Sequence, residues 1–133
     1  MKAKLQRYTI LVVEDEPAVL LTYQMILEQQ GYDVVTAASE VEARQAIERH
    51  DFDLLLCDLS LDEPDTGFEI IAFARQHRPA VPSILLTGYA SNDVSRRAEQ
   101  VGVAVLFKPI EIPEFLGAIA AHLSAVQPKR KTG

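Results

Sequence analysis

A single cysteine among 133 residues, Cys57, has no partner for an intramolecular disulfide and excludes a cysteine-based zinc site. Long apolar runs are missing as well. None exceeds five residues, so no segment is built to span a membrane. The basic stretch Met1–Arg7 is not followed by the apolar core of a signal peptide. Positive charge is in deficit: 13 Lys plus Arg against 19 Asp plus Glu gives −6, which argues against a nucleic-acid surface, because phosphate contacts need a basic face. Internal repeats and low-complexity segments are lacking too. What remains is an ordinary globular composition, 48% hydrophobic and 24% charged, at a length that suits one domain with one core. The expectation is a cytoplasmic domain with no membrane or nucleic-acid partner.

The apolar residues come in two alternating styles. Short β-branched or leucine-rich runs at Thr9–Val13, Val34–Ala37, Leu54–Cys57, Ser83–Leu86 and Val103–Phe107 suit strands buried on both faces. Between them lie stripes with helical spacing, such as Val19, Tyr23, Ile26 and Leu27, or Phe115, Leu116, Ile119, Leu123 and Val126. Pro17 and Pro113 stand where a first helical turn tolerates a missing N–H, and Gly31 follows the first stripe, where a left-handed residue is wanted. Ser39-x-x-Glu42 and Thr66-x-x-Glu69 read as capping boxes. Pro79 and Pro82 bracket the loop before the fourth strand. Strict alternation predicts an α/β fold, a (βα)5 doubly wound three-layer sandwich around a five-stranded parallel sheet. The expected order is 2-1-3-4-5, with a crevice beyond the carboxyl ends of the first and third strands.

Polar residues terminate these strands at one end of the sheet. Glu14 and Asp15 close the first strand, Asp58 the third, Thr87 the fourth and Lys108 the fifth. Three carboxylates against one ammonium leave about two negative charges in excess, an unfavourable cluster unless a cation joins it. Oxygen donors without histidine or cysteine suit a hard divalent ion, Mg²⁺ or Mn²⁺. Such an ion could accept phosphate oxygens, with Lys108 and the Thr87 hydroxyl opposite, an arrangement fit for in-line phosphoryl transfer. No Ser-His or Cys-His pair is placed as nucleophile and base, so the candidate nucleophile is a carboxylate.

Over residues 8–126 the sequence resembles the CheY-like receiver domain of two-component response regulators. The resemblance is carried by Ile10-Leu-Val-Val-Glu-Asp-Glu-Pro17, Leu54-Leu-Leu-Cys-Asp-Leu59, Ile84-Leu-Leu-Thr-Gly88 and Leu106-Phe-Lys-Pro-Ile110. Each stretch is weak alone; four in the right order and spacing are specific. The resemblance implies that Asp58 accepts a phosphoryl group from a phosphohistidine of a sensor histidine kinase or histidine phosphotransfer protein. It implies that Asp15, Asp58 and the backbone carbonyl of Ser60 bind Mg²⁺, with Glu14 acting through a water, and that Lys108 pairs with the phosphoryl oxygens. Thr87 would swing toward the phosphate and carry the change to the face made by the fourth helix, fifth strand and fifth helix. The chain would be no enzyme in the ordinary sense, since transfer to and hydrolysis from its own Asp58 are its only chemistry. Residues 1–7 read as an N-terminal extension and 127–133 as a basic tail. A stand-alone receiver, a piece of a hybrid kinase or larger regulator, and a homodimer through the same face are all left open.

Two positions depart from the family pattern. The residue three before the lysine is usually an aromatic that reorients with the threonine; here it is Val105, which has no ring. The run Asp58-Leu-Ser-Leu-Asp-Glu-Pro-Asp-Thr-Gly67 is one residue longer than usual, with Asp62, Glu63 and Asp65 added and Pro64 displaced. We read these acids as a solvated turn. Ser60 and Tyr89 flank the presumed water path to the phosphoryl group and would tune its lifetime. Cys57 reads as packing, and His50, His77 and His122 as surface groups away from the crevice.

Three competing readings remain. A receiver-shaped module that binds partners independently of phosphorylation draws on Val105. A haloacid-dehalogenase-like phosphatase would need Asp-x-Asp-x-Thr on the first strand, where Asp15-Glu-Pro17 stands. A flavodoxin-like cofactor carrier would need a phosphate-cradling first loop, and Glu14-Asp15-Glu16-Pro17 would repel one.

Overall fold

In a computed structural model, residues 7–61, 63–89 and 91–124 are described. Strands and helices alternate without exception: β1 Thr9–Val13, α1 Pro17–Gln29, β2 Asp33–Ala37, α2 Glu40–Arg49, β3 Leu54–Asp58, α3 Thr66–His77, β4 Ser83–Thr87, α4 Asn92–Val101, β5 Ala104–Phe107 and α5 Ile112–Leu123. All four strand pairings are parallel, and the sheet order is β2-β1-β3-β4-β5, as the alternation required.

The three central strands are buried along their whole length, whereas β2 and β5 at the edges are partly exposed. Their alternate residues feed two cores. Leu11, Val13, Leu55, Cys57 and Leu85 pack with residues of α2, α3 and α4, among them Ile47, Ile70 and Ala98. Ile10, Val12, Leu54, Leu56, Ile84 and Leu86 pack with Leu27 of α1 and Phe115, Ile119 and Leu123 of α5. A run of consecutive apolar residues is what a strand covered on both faces requires. Register at the far end of the sheet is pinned by a buried carboxylate: Asp53 Oδ2 accepts the Thr9 N–H at 2.8 Å, and the Asp53 N–H donates to the Thr9 carbonyl at 2.7 Å.

Local chemistry explains most helix ends. Pro17 opens α1, and Gly31, at φ 93°, closes it. The Gly31 N–H donates to Glu28 O and the Tyr32 N–H to Leu27 O, which satisfies two carbonyls of the last turn. Ser39 caps α2 by accepting the Glu42 N–H, while Glu42 reaches back to the Ala38 amide. Ser91 caps α4 in the same way through Val94. The expected capping box at Thr66-x-x-Glu69 is not formed. Thr66 lies inside the first turn of α3, buried, and its hydroxyl donates to the Glu63 carbonyl; Asp65 holds the N-cap position instead.

Strand ends also correct the sequence reading by a residue. Asp33, Asp58 and Thr87 belong to the ladder, paired with Thr9, Leu86 and Phe107, because backbone hydrogen bonding rather than side-chain polarity ends a strand. Val103 falls just outside β5. Among the described residues no helix is long and apolar enough to cross a membrane. Val126 and the tail 127–133 lie outside the described residues, as do residues 1–6 and Asp62.

Among the described glycines, Gly67 leaves the least room for a side chain. A Cβ there would stand 2.6 Å from the Asp58 carbonyl oxygen and 2.8 Å from the Leu59 Cα, both backbone atoms that cannot step aside. Gly117, inside α5, has nothing within 4 Å of the same position. Gly67→Ala is therefore expected to destabilise the domain by about 1–3 kcal/mol through overpacking. Gly117→Ala is expected to stabilise it by about 0.5–1 kcal/mol through helix propensity. Urea unfolding of the two variants beside wild type checks both signs.

Candidate functional site

The order β2-β1-β3-β4-β5 places the carboxyl ends of β1 and β3 side by side, at the point where the connections reverse direction. Glu14 and Asp15 follow β1, Asp58 ends β3, Thr87 ends β4 and Lys108 follows β5. Parallel strands emerge at the same edge, so five residues from four strand ends far apart in sequence come to one edge of the sheet.

Lys108 organises it. Its Nζ donates to Glu14 Oε1 at 2.9 Å and to Asp58 Oδ2 at 3.4 Å. Glu14 is completely buried, and an ionised carboxylate there would be costly without a partner. Its second oxygen accepts the Glu16 N–H at 3.2 Å. Asp58 is largely buried, and its Oδ1 accepts the Ser60 N–H at 3.4 Å. Burial alone would pull the Lys108 ammonium down; the hydrogen bond to Glu14 and the charge of Asp58 outweigh it and hold its pKa above the usual lysine value. A raised folded-state pKa means this stabilisation is fully present below the unfolded value of about 10.4 and is lost only as pH rises beyond it. Lys108 is thus a permanent cation at physiological pH.

One carboxylate oxygen each from Glu14, Asp15 and Asp58 lies within 4.8 Å of the others. Two trans oxygens around an octahedral Mg²⁺ are about 4.2 Å apart. An oxygen-only set this close suits a small hard cation that keeps some of its waters. The charge count agrees: three carboxylates and one ammonium leave −2. Ser60 stands at the lip, exposed, two residues beyond Asp58.

The Thr87 hydroxyl is engaged by its own loop, accepting the Tyr89 N–H at 3.0 Å and donating to the Tyr89 carbonyl at 3.3 Å. Tyr89 itself is 71% exposed. Val105 is half-buried against the core on the α2–α3–α4 side, which is where plain packing would put it. Cys57 lies wholly inside that same core, and burial pushes its thiol far up, so it is not a reactive cysteine. His50 and His77 are exposed, whereas His122 is half-buried with Nδ1 at 2.8 Å from the Ala118 carbonyl.

Three contributors escaped the sequence reading. Tyr23, noted only as part of the α1 stripe, stacks on Phe115 at 5.0 Å and lies within electrostatic reach of the crevice. Its hydroxyl pKa is raised, chiefly by burial; the charges of Glu14 and Asp58 add to the rise, and Lys108 opposes it. Asp65, counted among solvated acids, pairs with Arg97 of α4 at 2.8 Å. Gly67 was passed over, although a glycine two residues into a helix is a signal of close approach.

The sequence pattern of the family described as response regulator receiver domain matches residues 10–120. The chain is 36% identical over 119 residues to the alginate biosynthesis transcriptional regulatory protein AlgB of Pseudomonas aeruginosa, covering 89% of this chain and 26% of that protein. It is 34% identical over 120 residues to the transcriptional regulatory protein GlrR of Escherichia coli, covering 90% and 27%. The chain thus spans about a quarter of the length of these curated relatives. Among solved structures, a CheY-like response regulator receiver domain protein from Methanospirillum hungatei superposes with a TM-score of 0.83 at 34% identity, over 89% of this chain and 94% of that one. Fold, crevice and sequence agree, and the chain belongs to the response regulator receiver domain family.

Proposed function

We propose that Asp58 is the phosphoacceptor of this receiver, loaded from a phosphohistidine of a sensor histidine kinase or histidine phosphotransfer protein with Mg²⁺ bound. The observation that carries it is the Asp58 carboxylate at the end of β3, 3.4 Å from the Lys108 ammonium and grouped with Glu14 and Asp15. In the transfer, an Asp58 oxygen attacks phosphorus, the phosphorus–nitrogen bond to the donor imidazole breaks, and the imidazole leaves with the electron pair and takes up a proton. Asp15, Asp58 and the Ser60 carbonyl would hold Mg²⁺, with Glu14 nearby, and the ion would supply charge neutralisation for the transferring group when bound.

The chain's own residues do the rest. Lys108 exchanges its weaker contact, to Asp58, for a phosphoryl oxygen while keeping Glu14. Thr87 must release the Tyr89 backbone before its hydroxyl can donate to the new phosphate. That exchange, an added charge recruiting donors, biases the β4–α4 loop and through it the α4-β5-α5 face. Transfer onto Asp58 and hydrolysis from it are then the whole of its chemistry, and a cytoplasmic setting follows from such a donor. The domain runs over 8–126 on this reading. Asp58 lies on β3 rather than the first strand, which speaks against the phosphatase alternative.

Two measurements bear on the reading. Beryllofluoride with Mg²⁺ is expected to shift the amide NMR signals of Asp58, Thr87 and Lys108 in wild type and to leave Asp58→Asn unchanged. A partner that binds wild type and Asp58→Asn equally, with or without phosphodonor, would favour the phosphorylation-independent module. Separately, Mg²⁺ at a hundred times its Kd is expected to stabilise wild type by about 2.7 kcal/mol. Asp15→Asn removes one of the three grouped carboxylates and should gain little from Mg²⁺. Thermal melts with and without the ion decide the matter.

A further inference from the structure

Asp65 holds the N-cap position of α3, yet its side chain caps nothing. Its backbone sits at φ 64°, a left-handed conformation uncommon for a residue other than glycine. The carboxylate turns to α4 instead, where the Arg97 Nη1 donates to Asp65 Oδ2 at 2.8 Å. The same guanidinium lies over the Phe68 ring, 4.2 Å from its centroid. One cation on α4 therefore grips both sides of the turn that opens α3.

That turn is also pressed against the phosphoacceptor. The Gly67 N–H donates to the Leu59 carbonyl at 2.7 Å, and the Phe68 N–H closes on the Asp65 carbonyl at 3.1 Å. The space at Gly67 is so small that even a methyl group would meet the Asp58 carbonyl oxygen at 2.6 Å. The Gly67 hydrogen bond to Leu59 and this close approach tie the turn to the Asp58–Leu59 backbone, so a displacement there is passed to residues 65–68. Arg97 then follows or lets go, and either event alters α4. Val105, which lacks a ring to reorient, leaves this contact as a second route from the crevice to the same helix.

We propose that Arg97 is a positioning residue which, through Asp65 and Phe68, couples the occupancy of Asp58 to the conformation of α4. The proposal rests on the phosphoacceptor reading above. Asp65 and Arg97 side chains are 46% and 40% exposed, so their pairing adds little to global stability. Coupling, and not melting temperature, is thus the readout that separates this role from a merely structural one.

The experiment is amide NMR of the full chain titrated with Mg²⁺ and beryllofluoride. In wild type, signals of α4 (Asn92–Val101) should shift together with Asp58, Thr87 and Lys108. In Asp65→Asn and in Arg97→Gln the α4 shifts should fall about two-fold or more while those at Asp58, Thr87 and Lys108 remain. Arg97→Lys keeps the charge but loses the planar stack on Phe68, and should retain an intermediate response. Full-sized α4 shifts in both charge-neutral variants overturn the coupling. Absent shifts at Asp58, Thr87 and Lys108 in wild type overturn the phosphoacceptor reading first, and the coupling with it.

Discussion

The Lys108 ammonium sits between two carboxylates that come from different strands, and the crevice depends on that sharing. Glu14 is sealed from water, and Asp58 nearly so. Buried carboxylates are costly without a partner, and a common cation stands 2.9 Å from one and 3.4 Å from the other. The contacts are unequal for a physical reason. The buried group needs the short bond, whereas the more accessible one holds Lys108 loosely and can exchange it for another anion. A strong anchor and a weak, replaceable contact on one ammonium are what a site needs if it is to accept a charged group without collapsing before or after.

This arrangement is a by-product of how a doubly wound sheet buries itself. The interiors of β1, β3 and β4 face helices on both sides and admit almost no charge. Polar side chains are displaced to the strand ends, and parallel pairing sends the carboxyl ends of all five strands to one edge. The break in winding between β1 and β3 keeps that edge uncovered. Asp53 plays the corresponding structural part at the opposite edge, where its carboxylate locks β1 to the chain entering β3.

The departures of this chain from its family acquire different meanings in three dimensions. Val105 fills space in the larger core, as a β5 residue of its size should. The lengthened loop is less bland. Of its added acids, Asp65 is not a free surface charge but the partner of Arg97, so the loop brings less negative charge to the crevice than its composition suggests. Asp65 at the helix start is left-handed, and two residues on Gly67 lies close against the Asp58 backbone.

Much of this molecule is decided within short stretches of chain. Apolar runs, helical stripes, Pro17, Gly31 and the Ser39 cap each act on neighbours a few residues away, and so element order, sheet order and the end of each strand at which chemistry collects were legible without coordinates. The candidate site residues Glu14, Asp15, Asp58, Thr87 and Lys108 were legible for the same reason, as polar ends of apolar runs that the sheet brings to one edge. Thr66 shows where local pattern misleads: its spacing to Glu69 is right for a cap, but burial of the turn drew its hydroxyl to Glu63 and left the cap position to Asp65. Contacts between distant residues belong to the tertiary structure alone. Lys108 meets Glu14 across 94 residues and Arg97 meets Asp65 across 32, and which oxygen each cation takes depends on packing that no local pattern encodes. The sequence by itself determined where charge would gather; only the folded sheet decided how those charges pair, because pairing is set by distance in space.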